Sequence, residues 1–210
     1  MTQYDTYLPI GNDCSPAHYL QALGLRTEAY PLDWMIYSAG AFIHLFRTGF
    51  SDFFSAISEE ESIEANPCRY IRDTGNDVLS IHHFPKDREV ADVLDAFHSM
   101  MRRRYLRLHD RLMNSGSLLM LGYRQDTEEQ VNNTLLAFAA IYPHLSIHLI
   151  NVCHTPEMAS DQLRRERQKL NDRLAVTLCC FNDRYDTRNQ TGFGLWGNEA
   201  LWRRVLEERG

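Results

Sequence analysis

Nowhere in the 210 residues do about 18 apolar residues run together, the length a membrane-crossing helix needs. The opening residues, MTQYDTYLPIGND, hold no basic stretch followed by an apolar one, so no secretory leader is read there. Basic residues are scarce: 22 Lys and Arg stand against 28 Asp and Glu, a net charge of −6. That balance disfavours a general grip on nucleic acid or anionic lipid. The five cysteines (Cys14, Cys68, Cys153, Cys179, Cys180) are odd in number and contain no C-x-x-C pair, which argues against a disulfide framework and a zinc knuckle. Also missing are a G-x-G-x-x-G or P-loop motif, an internal repeat and a Gly/Pro/Ser linker. These absences lead to the expectation of one cytoplasmic domain over residues 1–210, with reduced thiols and no cofactor, metal, nucleic acid or membrane partner.

What is present is a sequence that can build a core, with 44% apolar and 24% charged residues. From Ser117 onward, short apolar runs alternate with longer amphipathic ones. SLLMLGY, LSIHLINV and LAVTLCCF read as strands; TEEQVNNTLLAFAAIY and PEMASDQLRRERQKLN read as helices. Such a rhythm predicts an α/β fold, a single three-layer domain with a mostly parallel central sheet flanked by helices. Reactive groups would gather at the carboxyl ends of its strands. The first half is less regular. It offers a brief strand at Thr6 to Ile10, a helix from near Ser15, and an aromatic segment from Tyr30 to Phe54 read mostly as core at helical spacing. A turn at Asp73 to Asp77, a strand at Leu79 to His82 and a long helix from Val90 to Asn114 follow. Arg102-Arg103-Arg104 reads as a solvated helix face.

Gly11-Asn12-Asp13-Cys14-Ser15-Pro16 is the most informative segment, because it joins the first strand to the first helix. Gly11 permits a sharp bend, Asp13 or Ser15 suits a helix cap, and Pro16 fits the first helical turn. Cys14 then sits at a helix N-terminus, where the backbone dipole favours thiolate and free N–H groups can hold an oxyanion. A small buried cysteine in a strand–helix turn is the plainer reading of the same pattern. A nucleophilic cysteine needs a base, and His82 and His83 at the end of an apolar strand are the first candidates, one ring facing the sheet's carboxyl edge and the other turned away. His154 is the reserve. The adjacency of His82 and His83 makes joint metal ligation awkward, and the spacing of His144 and His148 falls in a strand pattern, so neither pair reads as a metal site. Asp33, set among large hydrophobes in Tyr30-Pro31-Leu32-Asp33-Trp34, is suited either to orienting an imidazole or to satisfying turn N–H groups. Cys179-Cys180 reads as core.

These residues, in this order, resemble a bacterial family of papain-like cysteine peptidases. The resemblance rests on Leu8-Pro9-Ile10-Gly11-Asn12-Asp13-Cys14, Leu23-Gly24-Leu25-Arg26, Tyr30-Pro31-Leu32-Asp33-Trp34 and His82-His83-Phe84-Pro85, and covers most of the first 125 residues. It implies Cys14 as nucleophile and His82 as its partner. The chain departs from the family pattern where His83 replaces an aspartate and Leu32 a phenylalanine, leaving His82 or His83 as the base. Asp33 is a further candidate for the catalytic group, and Asn12, Asp13 and Trp34 for substrate contact.

The resulting expectation is a cysteine hydrolase of peptidase or amidase type, acting on a peptide, amide or acyl substrate through an acyl-thioester. An acyltransferase using the same pair is one alternative, and a non-catalytic small-ligand-binding α/β domain another. An interaction role for the polar final helix near Asn198, with Trp196 and Trp202, is a third.

Overall fold

A computed structural model describes residues 3–11, 13–184 and 196–207. Its main sheet has the order β1-β6-β7-β9-β8, where β1 is Thr6–Gly11, β6 Ser117–Tyr123, β7 Ser146–His154, β8 Arg164–Lys169 and β9 Leu174–Phe181. The β1–β6, β6–β7 and β7–β9 pairs are parallel. The three interior strands are the apolar runs of the sequence, and their side chains are buried on both faces, as parallel strands covered by helices require. Pro9 lacks an N–H to give to a second neighbour, which suits β1 to the sheet edge it occupies.

Alternation along the strands divides the core. Leu118, Met120, Ile147 and Leu149 face helices α2 (Ala39–Thr48), α3 (Val90–Asn114) and α4 (Glu128–Ile141). Leu119, Leu121, Ile150 and Val152 face α1 (Ser15–Ala22) and α5 (Glu199–Glu207). The expected three layers, helix, mostly parallel sheet and helix, are what this division produces. Helix α4 begins at a capping box: the Thr127 side chain accepts from the Gln130 N–H while the Gln130 side chain accepts from the Thr127 N–H. None of the described helices is long and apolar enough to cross a membrane.

Two elements differ from the sequence reading. The segment 156–171, expected to be a helix, instead makes turns and the edge strand β8, antiparallel to β9. Its apolar residues, Met158, Ala159, Leu163 and Leu170, are too sparse to give a helix a continuous stripe to bury. Pairing with the open edge of β9 prevailed over the helix propensity of Arg, Glu, Gln and Lys. The strand carrying His82 and His83 does not join the parallel sheet. It is β5 (Val78–Pro85) in a separate antiparallel sheet of order β2-β5-β4-β3, with β2 Met35–Tyr37, β3 Ile57–Glu60 and β4 Cys68–Asp73.

The turn expected at Asp73 to Asp77 closes the β4–β5 hairpin. Asp73 Oδ1 accepts from the Gly75 and Asn76 N–H groups, while Oδ2 accepts from Phe54 N–H at 2.7 Å. Of the aromatics between Tyr30 and Phe54, only those of α2 follow helical spacing; Tyr37 comes from β2, and Phe50 and Phe54 sit in turns with positive φ. The two sheets meet through one core, in which Ile71, Val78 and Phe84 pack with Leu118 and Met120.

Candidate active site

The carboxyl end of β1 turns sharply at Gly11, whose φ is +123°. A Cβ there would lie 2.7 Å from the Tyr123 carbonyl oxygen, so glycine is what lets β1 end against β6. The Gly11 N–H donates to the Tyr37 hydroxyl at 3.0 Å, tying this corner to β2 of the second sheet. Asp13 then organises the helix entry. Its Oδ1 accepts from Ser15 N–H at 2.8 Å and from Ser15 Oγ at 2.6 Å, leaving Cys14 as the N-cap residue of α1.

Cys14 Sγ lies 3.8 Å from His82 Nε2, although 68 residues separate them in sequence. Among the described residues, His82 is the one imidazole within hydrogen-bond reach of this sulfur. An irregularity in β5 accounts for the choice. Ile71 pairs with Ser80 and Arg69 with Phe84, so Ile81, His82 and His83 stand opposite Tyr70 alone. A bulge of this kind re-aims side chains. His82 projects outward, whereas His83 Nδ1 pairs with Ser80 Oγ at 2.9 Å and its ring packs on Phe97. Burial, with Arg104 and His82 nearby, pulls His83 down to about 4. His154, the reserve, accepts the Asp183 N–H at its Nδ1.

The electrostatics run against the expectation of a lowered thiol. Burial pushes Cys14 up to about 12, the Asp13 carboxylate adds to this, and Arg184 opposes it. Burial also lowers His82 below the usual histidine range. The pair at rest is therefore a neutral thiol beside a neutral imidazole. Asp13 itself is pushed up by burial, but its bonds from Ser15 and Arg184 outweigh that and hold it below the ordinary carboxylate range. Of the first backbone donors of the helix, Ser15 N–H is taken by Asp13 and Pro16 has none. The Cys14 N–H has no acceptor among the described residues.

Asp33 touches neither imidazole. Its Oδ2 receives Arg26 Nη1 at 2.6 Å and the Tyr30 N–H at 2.9 Å, in a buried ion pair that closes the Tyr30–Asp33 turn. Of the two roles open to it in sequence, the geometry matches the turn role. Trp34, next in sequence, has φ 67°, and its ring meets His82 edge-on at 6.3 Å between centroids. Asn12, a candidate substrate contact, lies outside the described residues.

In sequence nothing points to Arg184, and Trp196 and Trp202 suggest a partner interface rather than this site. Arg184, after β9, donates from Nη2 to Asp13 Oδ2 and from Nε to the Tyr123 hydroxyl at 2.9 Å. Trp196 stacks on His18 at 4.0 Å and meets Trp34 at 6.0 Å. The contacts of Arg184 with Asp13 and of Trp196 with His18 and Trp34 each span more than 150 positions of chain, and no local motif announces them. Trp202, considered for a partner interface, is wholly buried and donates its indole N–H to Asp183 Oδ1 at 2.8 Å.

Other candidates are structurally occupied. His148 bonds Tyr4 and Thr177, and His144 bonds the Leu112 carbonyl. Cys179 is buried in the core. No group of three or more His, Cys, Asp or Glu among the described residues could hold a metal ion. A cavity of about 460 Å³ between the turns at 49–55 and α3, lined in part by Phe50, His98, Arg102 and Tyr105, includes none of the Cys14 or His82 neighbourhood.

At the carboxyl edge of the parallel sheet, Cys14 thus meets His82 from the second, antiparallel sheet. A family described as "Putative papain-like cysteine peptidase (DUF1796)" matches residues 5–79. The matched stretch is about a third of the chain; it contains Cys14, Asp33 and Trp34 and stops short of His82. At the level of chemical class, this similarity points to a cysteine hydrolase. No curated protein and no solved structure matches the chain.

Proposed function

We propose that the protein is a cysteine-dependent acyl hydrolase, of peptidase or amidase type, with Cys14 as nucleophile and His82 as general base. The single observation that carries this reading is the 3.8 Å approach of Cys14 Sγ to His82 Nε2 at the end of a parallel strand. Because the resting pair is neutral, proton transfer accompanies attack. As the bond from Sγ to the acyl carbon forms, the thiol proton passes to His82 Nε2 and the carbonyl electron pair moves onto oxygen. The Cys14 N–H, without an acceptor among the described residues, is the backbone donor assigned to that oxyanion in this reading. Collapse breaks the bond to the leaving group, which takes the proton from His82. Water, losing a proton to His82, then attacks the thioester, and the departing sulfur recovers that proton. His82 must carry its resting proton on Nδ1 for this sequence, and Nδ1 has no protein partner among the described residues.

The test joins two measurements. Labelling by a peptidyl acyloxymethyl ketone, which binds before the base-assisted attack, should mark Cys14 ahead of the other four cysteines by mass spectrometry, and peptide and thioester reporters should be cleaved by wild type but not by Cys14→Ala. Labelling no faster than at an ordinary buried cysteine, with no cleavage of either reporter, would overturn the proposal. The raised thiol favours a second reading, a binding site without covalent chemistry, and that reading predicts the slow-labelling outcome. Product analysis with an added amine separates hydrolysis from acyl transfer by the same pair.

A further inference from the structure

Around Cys14 the aromatic rings form a closed circuit. His82 touches Sγ, Trp34 meets His82 edge-on, Trp196 meets Trp34 at an interplanar angle of 65°, and His18 stacks on Trp196 at 3°. His18 lies four residues after Cys14 and donates its backbone N–H to the Cys14 carbonyl at 3.0 Å, so the two share one face of α1 and the circuit returns to its start.

Trp196 packs on the rim of the buried cluster beneath α1 and α5, and Trp34 stands outside the core. Both are half-buried. Neither indole N–H has a protein acceptor among the described residues. Trp34 moreover adopts a left-handed backbone, φ 67°, which a bulky side chain rarely occupies without cause. The buried Arg26–Asp33 pair, with the Tyr30 N–H on the same carboxylate oxygen, fixes the turn that imposes it. Phe50 and Phe54 share this backbone conformation but pack into the aromatic core, whereas the Trp34 ring stands half-buried beside His82.

We infer that Trp34 and Trp196 form a specificity subsite, and that the substrate carries an aromatic side chain beside the scissile carbonyl. A further flat ring packs edge-on or offset against the exposed faces of the indoles, and the two indole N–H groups, without acceptors among the described residues, supply donors for the carbonyls of a peptide or acyl chain. The inference rests on Cys14 as the reacting group, but its test is a binding measurement that needs no reaction.

Calorimetric titration of the Cys14→Ala protein with N-acetylphenylalaninamide and N-acetylleucinamide should show the aromatic ligand binding about tenfold tighter. Trp34→Leu and Trp196→Leu should each erase the preference, and Trp34→Phe should retain most of it. Circular dichroism identifies any variant that fails to fold, and Trp196→Leu, outside the strained turn, gives the answer if Trp34→Leu does. Equal affinities, no binding of either ligand, or a preference that survives both leucine variants would overturn the subsite. Unlabelled Cys14 in wild type, alongside an intact aromatic preference, would instead overturn the catalytic reading and leave the subsite standing.

Discussion

His82 and His83 are neighbours in β5, yet they face different environments: Nε2 of His82 stands 3.8 Å from Cys14 Sγ, and Nδ1 of His83 stands 2.9 Å from Ser80 Oγ. On the proposed mechanism the two alanine variants separate cleanly. His82→Ala should lower turnover by roughly 10²–10⁴-fold with little loss of stability, the range for removing a general base. His83→Ala removes a buried ring from between Ser80 and Phe97, so it should lower the melting temperature and leave Cys14 labelling close to wild type. Reporter turnover and thermal melts of both variants decide this.

The pH dependence follows from the same pair. Neutral His82 is the working base, and burial lowers its protonation point below the ordinary histidine value of 6.5. Turnover should therefore fall only as pH drops below 6.5, and should hold level from there to pH 8. The thiol, pushed up to about 12, contributes no limb in that window. A rate that climbs steadily from pH 7 to 9, the signature of an ionising free thiol, would contradict base-assisted attack.

Asp183 offers a stability test away from the reacting atoms. Burial raises its carboxyl to about 6, despite bonds from the Asn198 N–H and the Trp202 indole. A raised acid favours the protonated folded form, so stability falls as pH rises from the unfolded value of 3.8 through 6. The cost at neutral pH is about 3 kcal/mol. Asp183→Asn keeps an acceptor at Oδ1 for both donors. It should match wild type below pH 4 and exceed it by a growing margin towards pH 7, measured as urea unfolding midpoints across that range.

The Arg26–Asp33 pair is buried on both sides, with side chains 4% and 1% exposed. Removing one partner strands the other charge in the core. Asp33→Leu alone should cost roughly 3–5 kcal/mol, whereas the Arg26→Met, Asp33→Leu double variant should recover much of that loss. Denaturant unfolding of the three proteins measures the difference. A double variant no more stable than Asp33→Leu alone would contradict this account of the turn.

Gly11→Ala meets the Tyr123 backbone at 2.7 Å in a left-handed conformation, and neither obstacle is a flexible side chain. It should destabilise by roughly 2 kcal/mol or more. Because β1 leads directly to Cys14, labelling of that thiol should change in the same variant, read from the same mass-spectrometric map.

Much of the scaffold was legible before any coordinates. The runs at 118–123, 147–152 and 174–181 are too continuously apolar for strands with one wet face, and they became the interior of the parallel sheet. The amphipathic run from Thr127 marked α4, and the Gly11 to Pro16 segment placed Cys14 at a helix entry. The error at 156–171 shows the limit of local propensity: Arg, Glu and Lys favour a helix only until an unpaired strand edge offers their backbone a ladder.

The sequence by itself determined where a thiol would stand relative to its own strand and helix, because turns, caps and apolar periodicity act over a few residues. Only the tertiary structure decided what that thiol meets. The choice between His82 and His83 depended on a bulge against β4, the partner of Asp33 on a buried arginine seven residues upstream, and the contacts of Arg184 and Trp196 on segments more than 150 residues away. Contacts of that range are set by how layers pack, and packing is a property of the whole chain that no short stretch encodes.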